Sequence, residues 1–170
     1  MTAAEFKIRG FRRSDFNTLW EIDQKCFPRG ISYSQFELLT YIRRPRAFTL
    51  VAERVPGDDP EAWAAADGSN TMGFIVAEAG RQTGHIITID VLEEARRSGL
   101  GSRLLAAAED RLRELGCRMV VLETAVDNAP ALAFYKRHEY FLVKTEPRYY
   151  SNGTDAFVLK KDLLLPTPAS

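Results

Sequence analysis

The stretch from residue 84 to residue 102 has the sequence GHIITIDVLEEARRSGLGS, and it decides the fold. Residues 84–92 are almost continuously apolar, which is typical of a central β-strand. Gly99 and Gly101 follow, and apolar residues then recur every three to four positions at Leu104, Leu105, Ala108, Leu112 and Leu115, which predicts an amphipathic helix. A buried strand that passes through a glycine-rich turn into a helix indicates a mixed α/β fold.

The glycine-rich turn in front of this helix suits an anionic ligand. Because glycine has no Cβ, the backbone N–H groups near Gly99 and Gly101 can approach a ligand closely. The first turn of a helix also offers unpaired N–H donors at the positive end of the helix dipole, and Arg96 and Arg97 add positive charge. The alternative is that the glycines only permit a tight turn. The sequence of the turn matches neither a P-loop nor a dinucleotide-binding fingerprint.

Periodicity on both sides of this unit extends the sheet. Alternating apolar residues at Phe6 and Ile8 predict a first strand, and Ser14 and Ser34 are expected to cap two helices. Asn128 is expected to open a further helix. The other strands are predicted at residues 47–53, 72–78, 117–124, 140–145 and 155–160. The resulting order, β-α-α-β-β-β-α-β-α-β-β, predicts one sheet with helices packed on it.

Length and composition set the domain organisation. A chain of 170 residues suits one domain. We expect this single domain to span residues 1–165, with an exposed loop at 55–70 and a short tail at 166–170. The 23 basic and 23 acidic side chains give zero net charge, which argues against a general affinity for nucleic acid.

Targeting and metal signals are missing from the sequence. No apolar run approaches the ~20 residues of a membrane helix, and the start lacks a secretory signal, so we expect a cytoplasmic protein without a membrane anchor. Only two cysteines and two histidines are present. They are not arranged as metal ligands, so we expect no metal and two reduced thiols.

Two motifs carry a family resemblance. Arg96-x-x-Gly99-x-Gly101 resembles the pyrophosphate-binding loop of the GNAT family of acetyltransferases. The run LETAVDNAPALAFY, from Leu122 to Tyr135, is similar to the later motif of that family, in which an asparagine opens a helix that ends in Ala-x-x-Tyr. The resemblance implies a central mixed, mostly antiparallel sheet of about seven strands with about four helices. It also implies acetyl-CoA as the cofactor and transfer of the acetyl group to an amine.

The resemblance also assigns the cofactor residues. The backbone of one strand would pair with the pantetheine arm, and the glycine loop would hold the pyrophosphate. Asn128 and Tyr135 would add contacts to the arm, although Asn128 could be a helix cap alone. The expected cofactor residues are Ile89, Asp90, Val91, Arg96, Arg97, Ser98, Gly99, Leu100, Gly101, Ser102, Asn128 and Tyr135.

Three side chains are candidates for catalysis. The resemblance implies that Tyr135 is the general acid that protonates the coenzyme A thiolate, whereas a tyrosine between apolar neighbours could also serve packing alone. Glu123 would be the base, directly or through water, with a solvated strand-end charge as the alternative. His85 could also accept a proton near neutral pH, but a histidine on the surface of a strand is the simpler interpretation.

Within the family, the chain is most similar to protein N-terminal acetyltransferases of the ribosomal-protein alanine (RimI) type. The run Asp23-x-x-Cys-Phe-Pro28 and the pair Tyr149-Tyr150 carry this likeness. It implies a protein or peptide α-amine as acceptor, with Phe27, Tyr149 and Tyr150 contacting it. Acceptance of a small-molecule amine or a lysine side chain is the alternative, and a non-catalytic acyl-CoA-binding module is another. We expect a monomer or a homodimer.

Overall fold

The computed structural model describes residues 5–55 and 70–164. Most of the expected loop at 55–70 and the expected tail at 166–170 therefore lie outside the described residues. The strands are β1 (Phe6–Gly10), β2 (Ala47–Arg54), β3 (Thr71–Ala79), β4 (Thr83–Val91), β5 (Met119–Ala125), β6 (Phe141–Glu146) and β7 (Ala156–Asp162). The helices in this part of the chain are α1 (Phe16–Cys26), α2 (Gln35–Ile42), α3 (Leu100–Glu114) and α4 (Ala129–Arg137). This order confirms the prediction.

The seven strands form one sheet in the order β1-β2-β3-β4-β5-β7-β6. Every neighbouring pair is antiparallel except β4 and β5, which are parallel. A parallel pair requires a crossover, and α3 supplies it. The mixed, mostly antiparallel sheet that the family resemblance implied is therefore confirmed.

The parallel pair opens in the middle of the sheet. β4 and β5 are paired only from Thr83↔Met119 to His85↔Val121 in the described residues. Beyond this point β4 continues to Val91 and β5 continues to Ala125 without pairing to each other. A register shift between β3 and β4 near Ile87 accompanies the opening, and such bulges bend a strand and increase its twist.

Helices cover both faces of the sheet. One core cluster places α3 and the apolar residues of α4 on one face, and it includes Leu104, Leu112 and Leu122. The other cluster packs α1 and α2 on the opposite face around Leu19 and Phe74. None of the helices in the described ranges has the length and apolar character needed to cross a membrane.

The helix starts match the sequence only in part. Ser34 caps α2 as expected, because its hydroxyl accepts from the Glu37 N–H at 3.1 Å. The expected cap at Ser14 is wrong. The Asp15 carboxylate instead accepts from the Arg12 N–H and from the Arg9 guanidinium, which orders residues 13–15 as a 3-10 turn before α1. The ion pair between Arg9 and Asp15 joins positions that are six residues apart. The pattern of apolar residues therefore could not predict it.

Candidate functional site

The loop in front of α3 holds its backbone in left-handed conformations. Gly99 has φ +82°, and Arg97, which is not a glycine, has φ +63°. The Ser98 hydroxyl donates to the Ala95 carbonyl oxygen and fixes the turn. Alternation of left- and right-handed residues turns successive N–H groups toward one concavity, which is a common anion-binding arrangement.

The first turn of α3 is open to a ligand. Its first hydrogen bond runs from the Arg103 N–H to the Gly99 carbonyl at 3.0 Å, so the preceding N–H groups have no partner inside the helix. In the part of the chain that the structure describes, no side chain caps this end, and a Cβ at Gly99 would meet nothing within 4 Å. Donor geometry, open space and the neighbouring arginines therefore fit a pyrophosphate group at this loop.

Other predicted cofactor residues have partners within the protein. The Ser102 hydroxyl lies 2.8 Å from His138 Nε2 and so joins α3 to the end of α4. Arg96 Nε donates to the Val91 carbonyl oxygen at 3.0 Å, so this oxygen already has a donor. Asp90 is almost fully buried, and its carboxylate accepts from the Thr88 hydroxyl. Only its backbone is therefore available for the predicted contact with the cofactor arm.

The opening between β4 and β5 leaves strand backbone free for an extended ligand. Beyond His85, β4 makes no backbone pair with β5 in the described structure, although side chains donate to the carbonyl oxygens of Ile87 and Val91. An extended arm with amide groups can pair with such an edge. The predicted contribution of Ile89 to Val91 is thus compatible with the geometry, and the residue assignments stay a prediction.

Asn128 and Tyr135 occupy opposite ends of α4. The Asn128 side chain accepts from the Ala131 N–H at 3.2 Å, so it caps α4, and its predicted contact with the cofactor arm stays a prediction. Tyr135 is 6% exposed and its ring packs against Phe134 and Tyr140. Burial raises the pKa of Tyr135, and the nearby Asp90 raises it further, so the phenol keeps its proton at neutral pH.

His85 and Glu123 are brought together at the point where the strands part. His85 Nε2 lies 2.6 Å from Glu123 Oε2, and the two side chains are 36% and 20% exposed. His85 is therefore not at the edge of the sheet, because β4 is paired with β3 and β5 at this position, and its predicted role in catalysis stays a prediction. A histidine hydrogen-bonded to a carboxylate is a recurrent arrangement for moving protons.

A small pocket of about 40 Å³ surrounds this pair. Its walls come from the α1–α2 segment, α2, β4, β5 and the turn between β6 and β7. The lining residues are Tyr33, Tyr41, His85, Ile87, Glu123, Tyr149 and Tyr150. Tyr149 and Tyr150 thus lie where the acceptor was expected, whereas Phe27 does not line the pocket.

Sequence reasoning missed Tyr33 and Tyr41. Tyr33 lies just before the Ser34 cap and donates its hydroxyl to the Ile87 carbonyl oxygen at 3.3 Å. Its ring contacts the Tyr41 ring, with centroids 5.3 Å apart. Only its position shortly after the Asp23–Pro28 run, which carries the likeness to the RimI type, could have indicated Tyr33.

Tyr33, Tyr149 and Tyr150 are neutral phenols. Burial raises the pKa of Tyr149 to about 12, and it also raises the pKa values of Tyr33 and Tyr150. Glu123 contributes to the upward shift for Tyr149 and Tyr150. The pocket therefore combines hydrogen-bonding hydroxyls with one histidine and one carboxylate, which suits a polar or cationic amine.

Two segments that carry pocket residues are in contact with each other. The Ser151 hydroxyl donates to the Gly30 carbonyl oxygen at 2.9 Å. Gly30 has φ +91°, and a Cβ on it would lie 2.6 Å from the Asn152 Cβ, so only glycine fits this close approach. We call this contact between Gly30 and residues 151–152 the clasp. It fixes the α1–α2 segment to the β6–β7 turn.

The comparisons with known proteins agree with this geometry. The sequence matches the Acetyltransferase (GNAT) family over residues 16–140. It is similar to an N-alpha-acetyltransferase of Sulfurisphaera tokodaii, with 29% identity over 165 residues that cover 94% of each chain.

Two solved structures share the fold. Ard1 from Thermoplasma volcanium matches with a TM-score of 0.79 and 28% identity, covering 96% of this chain and all of that one. The ribosomal-protein-S18-alanine N-acetyltransferase from Escherichia coli matches with a TM-score of 0.75 over 98% of this chain and 99% of that chain, at 18% identity. The predicted family, enzyme class and cofactor are thereby confirmed. The chain belongs to the GNAT family and is an acyltransferase that uses acetyl-CoA.

Proposed function

We propose that this enzyme acetylates the N-terminal α-amine of a protein or peptide, with the RimI-type enzymes as its nearest functional group. The observation that carries the proposal is the hydrogen-bonded pair of His85 and Glu123 in a pocket at the opening between β4 and β5. The similarity along nearly the whole chain to a protein named N-alpha-acetyltransferase supports the same acceptor class.

The side chains divide the proton transfers between two places. Acetyl-CoA, when bound, supplies the activated acetyl thioester. The attacking amine must be neutral, and an ammonium loses its proton to the His85–Glu123 pair, directly or through a water. Tyr135 keeps its proton because burial raises its pKa, and its hydroxyl can then donate to a developing thiolate. Arg97 and the N-terminus of α3 would hold the pyrophosphate.

Transfer is direct, without an acetyl-cysteine. Cys26 is the cysteine nearest to the end of β4, where its thiol donates to the Val91 carbonyl oxygen at 3.5 Å. Burial raises the pKa of Cys26 to about 11, so the thiol is not ionised at neutral pH. A thiolate is the nucleophilic form of cysteine, so Cys26 is unsuited to accept the acetyl group.

The pocket dimensions favour a small first residue. Four tyrosine rings line the space beside His85 and Glu123, which leaves little room for a large side chain next to the amine. The clasp joins the segment that carries Tyr33 to the turn that carries Tyr149 and Tyr150. We therefore expect acceptors that begin with alanine, serine or glycine to react faster than those that begin with a bulky residue.

A turnover screen tests the proposal. Peptides that differ only in the first residue would be compared with free polyamines and with a peptide whose lysine is the only amine. We expect acetylation of the small-residue N-termini, with Glu123→Gln lowering kcat by about 100-fold or more and leaving acetyl-CoA affinity unchanged. Faster transfer to lysine or to a polyamine would support the alternative acceptor. Absence of turnover with every amine would support a binding module.

We also propose that residues 1–165 form one domain, that the protein is cytoplasmic, and that it acts as a monomer or homodimer. The GNAT match over residues 16–140 supports the single domain. Light scattering on the purified chain measures the mass and distinguishes the two assemblies.

A further inference from the structure

Two aspartates lie fully inside the protein beside the acceptor pocket, and the proposed mechanism does not use them. Asp23 on α1 is 0% exposed and Asp90 on β4 is 1% exposed. Their carboxyl groups are in direct contact across the boundary between helix and sheet. Two buried carboxylates in contact cannot both be charged without a large cost in free energy.

Each carboxyl group has one oxygen with a donor and one without. Asp23 Oδ2 accepts from the Tyr33 N–H at 2.7 Å, and Asp90 Oδ1 accepts from the Thr88 hydroxyl at 2.5 Å. Asp23 Oδ1 and Asp90 Oδ2 are buried and accept no hydrogen bond from any described residue. A single proton between these two oxygens would satisfy both.

We propose that Asp23 and Asp90 share one proton in the folded enzyme, and that this acid pair is a positioning device that holds Tyr33 and the acceptor pocket against β4. The positioning role rests on the proposed function, because it concerns the wall of the acceptor pocket.

The linkage runs through three hydrogen bonds. The shared proton joins β4 to α1, and Asp23 joins α1 to the backbone of Tyr33. The Tyr33 hydroxyl returns to β4 at the Ile87 carbonyl oxygen, beside His85. Tyr33 is therefore held at both its backbone and its hydroxyl. These two hydrogen bonds fix the distance between Tyr33, in the pocket wall, and the strand bulge near Ile87.

The surroundings favour the protonated pair. Burial raises the pKa values of both carboxyl groups, and Asp23 raises that of Asp90 further. Glu37 on α2 also opposes a second charge, whereas Arg96 favours the ionised form of Asp90. The remaining titratable neighbours are neutral at pH 7, because burial raises the pKa values of Cys26 on α1, Tyr33 and Tyr135 on α4.

The shared proton has a pH signature. In the unfolded chain both aspartates lose their protons near pH ~3.9. The folded pair retains one proton above that pH until its raised pKa is reached. Stability therefore falls as pH rises through this window, with the folding constant decreasing by up to about tenfold per pH unit.

A stability experiment tests the proton. Urea unfolding of the full chain from pH 4 to 8 would be compared between wild type and the double variant Asp23→Asn/Asp90→Asn. The asparagines preserve the shape and can place an amide N–H between the two groups, but they do not titrate. We expect the wild type to lose more stability with rising pH than the double variant. Equal pH dependence of the two proteins would overturn the shared proton.

A kinetic experiment tests the positioning. Asp23→Ala removes the link to Tyr33, so we expect the peptide KM to rise about tenfold while acetyl-CoA affinity stays within about twofold. Asp23→Asn keeps both hydrogen bonds and should restore the peptide KM. An unchanged KM in Asp23→Ala, or no restoration by Asp23→Asn, would overturn the role. A wild type that acetylates no peptide would contradict the proposed function instead. The stability comparison would still decide whether Asp23 and Asp90 share a proton.

Discussion

Tyr135 illustrates at the level of one residue how burial prepares an acid. Its pKa lies above the ordinary value of ~10 because water is excluded from the phenol. A raised pKa means that the acid form persists to higher pH than in a free tyrosine. We therefore expect that any alkaline decline in kcat below pH ~10 arises from another group.

Tyr135→Phe tests this role. We expect kcat to fall by about 100-fold or more, because a positioned general acid contributes at least that factor. Acetyl-CoA affinity should change little, since the ring remains. The measurements are steady-state turnover with the best peptide and a direct binding titration.

Tyr140→Phe is the matched control. Tyr140 packs on Tyr135, but its hydroxyl donates to Glu109 at 2.8 Å in a hydrogen bond inside the protein core. Its loss should lower stability by about 1–3 kcal/mol and leave kcat close to wild type. Equal turnover in Tyr135→Phe and wild type would rule out Tyr135 as the acid.

At the level of elements, the clasp connects two segments that carry the pocket walls. Tyr33 belongs to one of them, and Tyr149 and Tyr150 belong to the other. The contact depends on Gly30, because a side chain there would collide with Asn152 and would also require a left-handed backbone. The position of one segment should therefore influence the other.

Gly30→Ala should open the clasp. We expect a higher peptide KM and a loss of about 2–4 kcal/mol in unfolding free energy, from backbone strain and overpacking together. Gly153→Ala separates backbone strain from overpacking. Gly153 lies next to Asn152 in the β6–β7 turn and has φ +86°, but no atom of the described residues lies within 4 Å of its Cβ position. The control should lose only about 1 kcal/mol. Identical losses in both variants would contradict a role for the collision with Asn152.

At the level of the whole molecule, the opening between β4 and β5 interrupts the sheet. Only three residue pairs join the two strands, so the halves of the sheet depend on α3 and the core for the rest of their contact. A ligand that lies along β4 and reaches the N-terminus of α3 would add contacts that the unfolded chain lacks. Acetyl-CoA should therefore stabilise the protein.

Thermal unfolding with and without acetyl-CoA measures this effect. At a concentration 100 times Kd we expect about 2.7 kcal/mol of stabilisation. Gly99→Ala should reduce this gain, because Gly99 has φ +82° in the predicted pyrophosphate loop. Gly116→Ala, at φ +93° and the other end of α3, imposes a similar strain away from the loop. The cofactor should stabilise Gly116→Ala as strongly as wild type. Equal stabilisation of Gly99→Ala and Gly116→Ala by acetyl-CoA would contradict binding of the pyrophosphate at the Gly99 loop.

Local patterns were sufficient for the elements and for the glycine-rich turn in front of α3. The run of apolar residues in β4 and the glycines at 99 and 101 lie next to each other in the chain, so strand, turn and helix start can be predicted together. The Ser34 and Asn128 caps also depend on contacts only three residues away. Ser14 failed as a cap because an ion pair between Arg9 and Asp15 reorganised the turn.

The sequence by itself determined the order of strands and helices, the family and the cofactor, because each depends on residues that are close along the chain. The tertiary structure alone decided which polar groups meet. His85 and Glu123 lie 38 positions apart and come within 2.6 Å only because β4 and β5 pair at that level. Asp23 and Asp90 meet because α1 packs on β4, and burial raises the pKa values of both. Periodicity predicts which face of an element is buried, but it does not specify the partner across the interface.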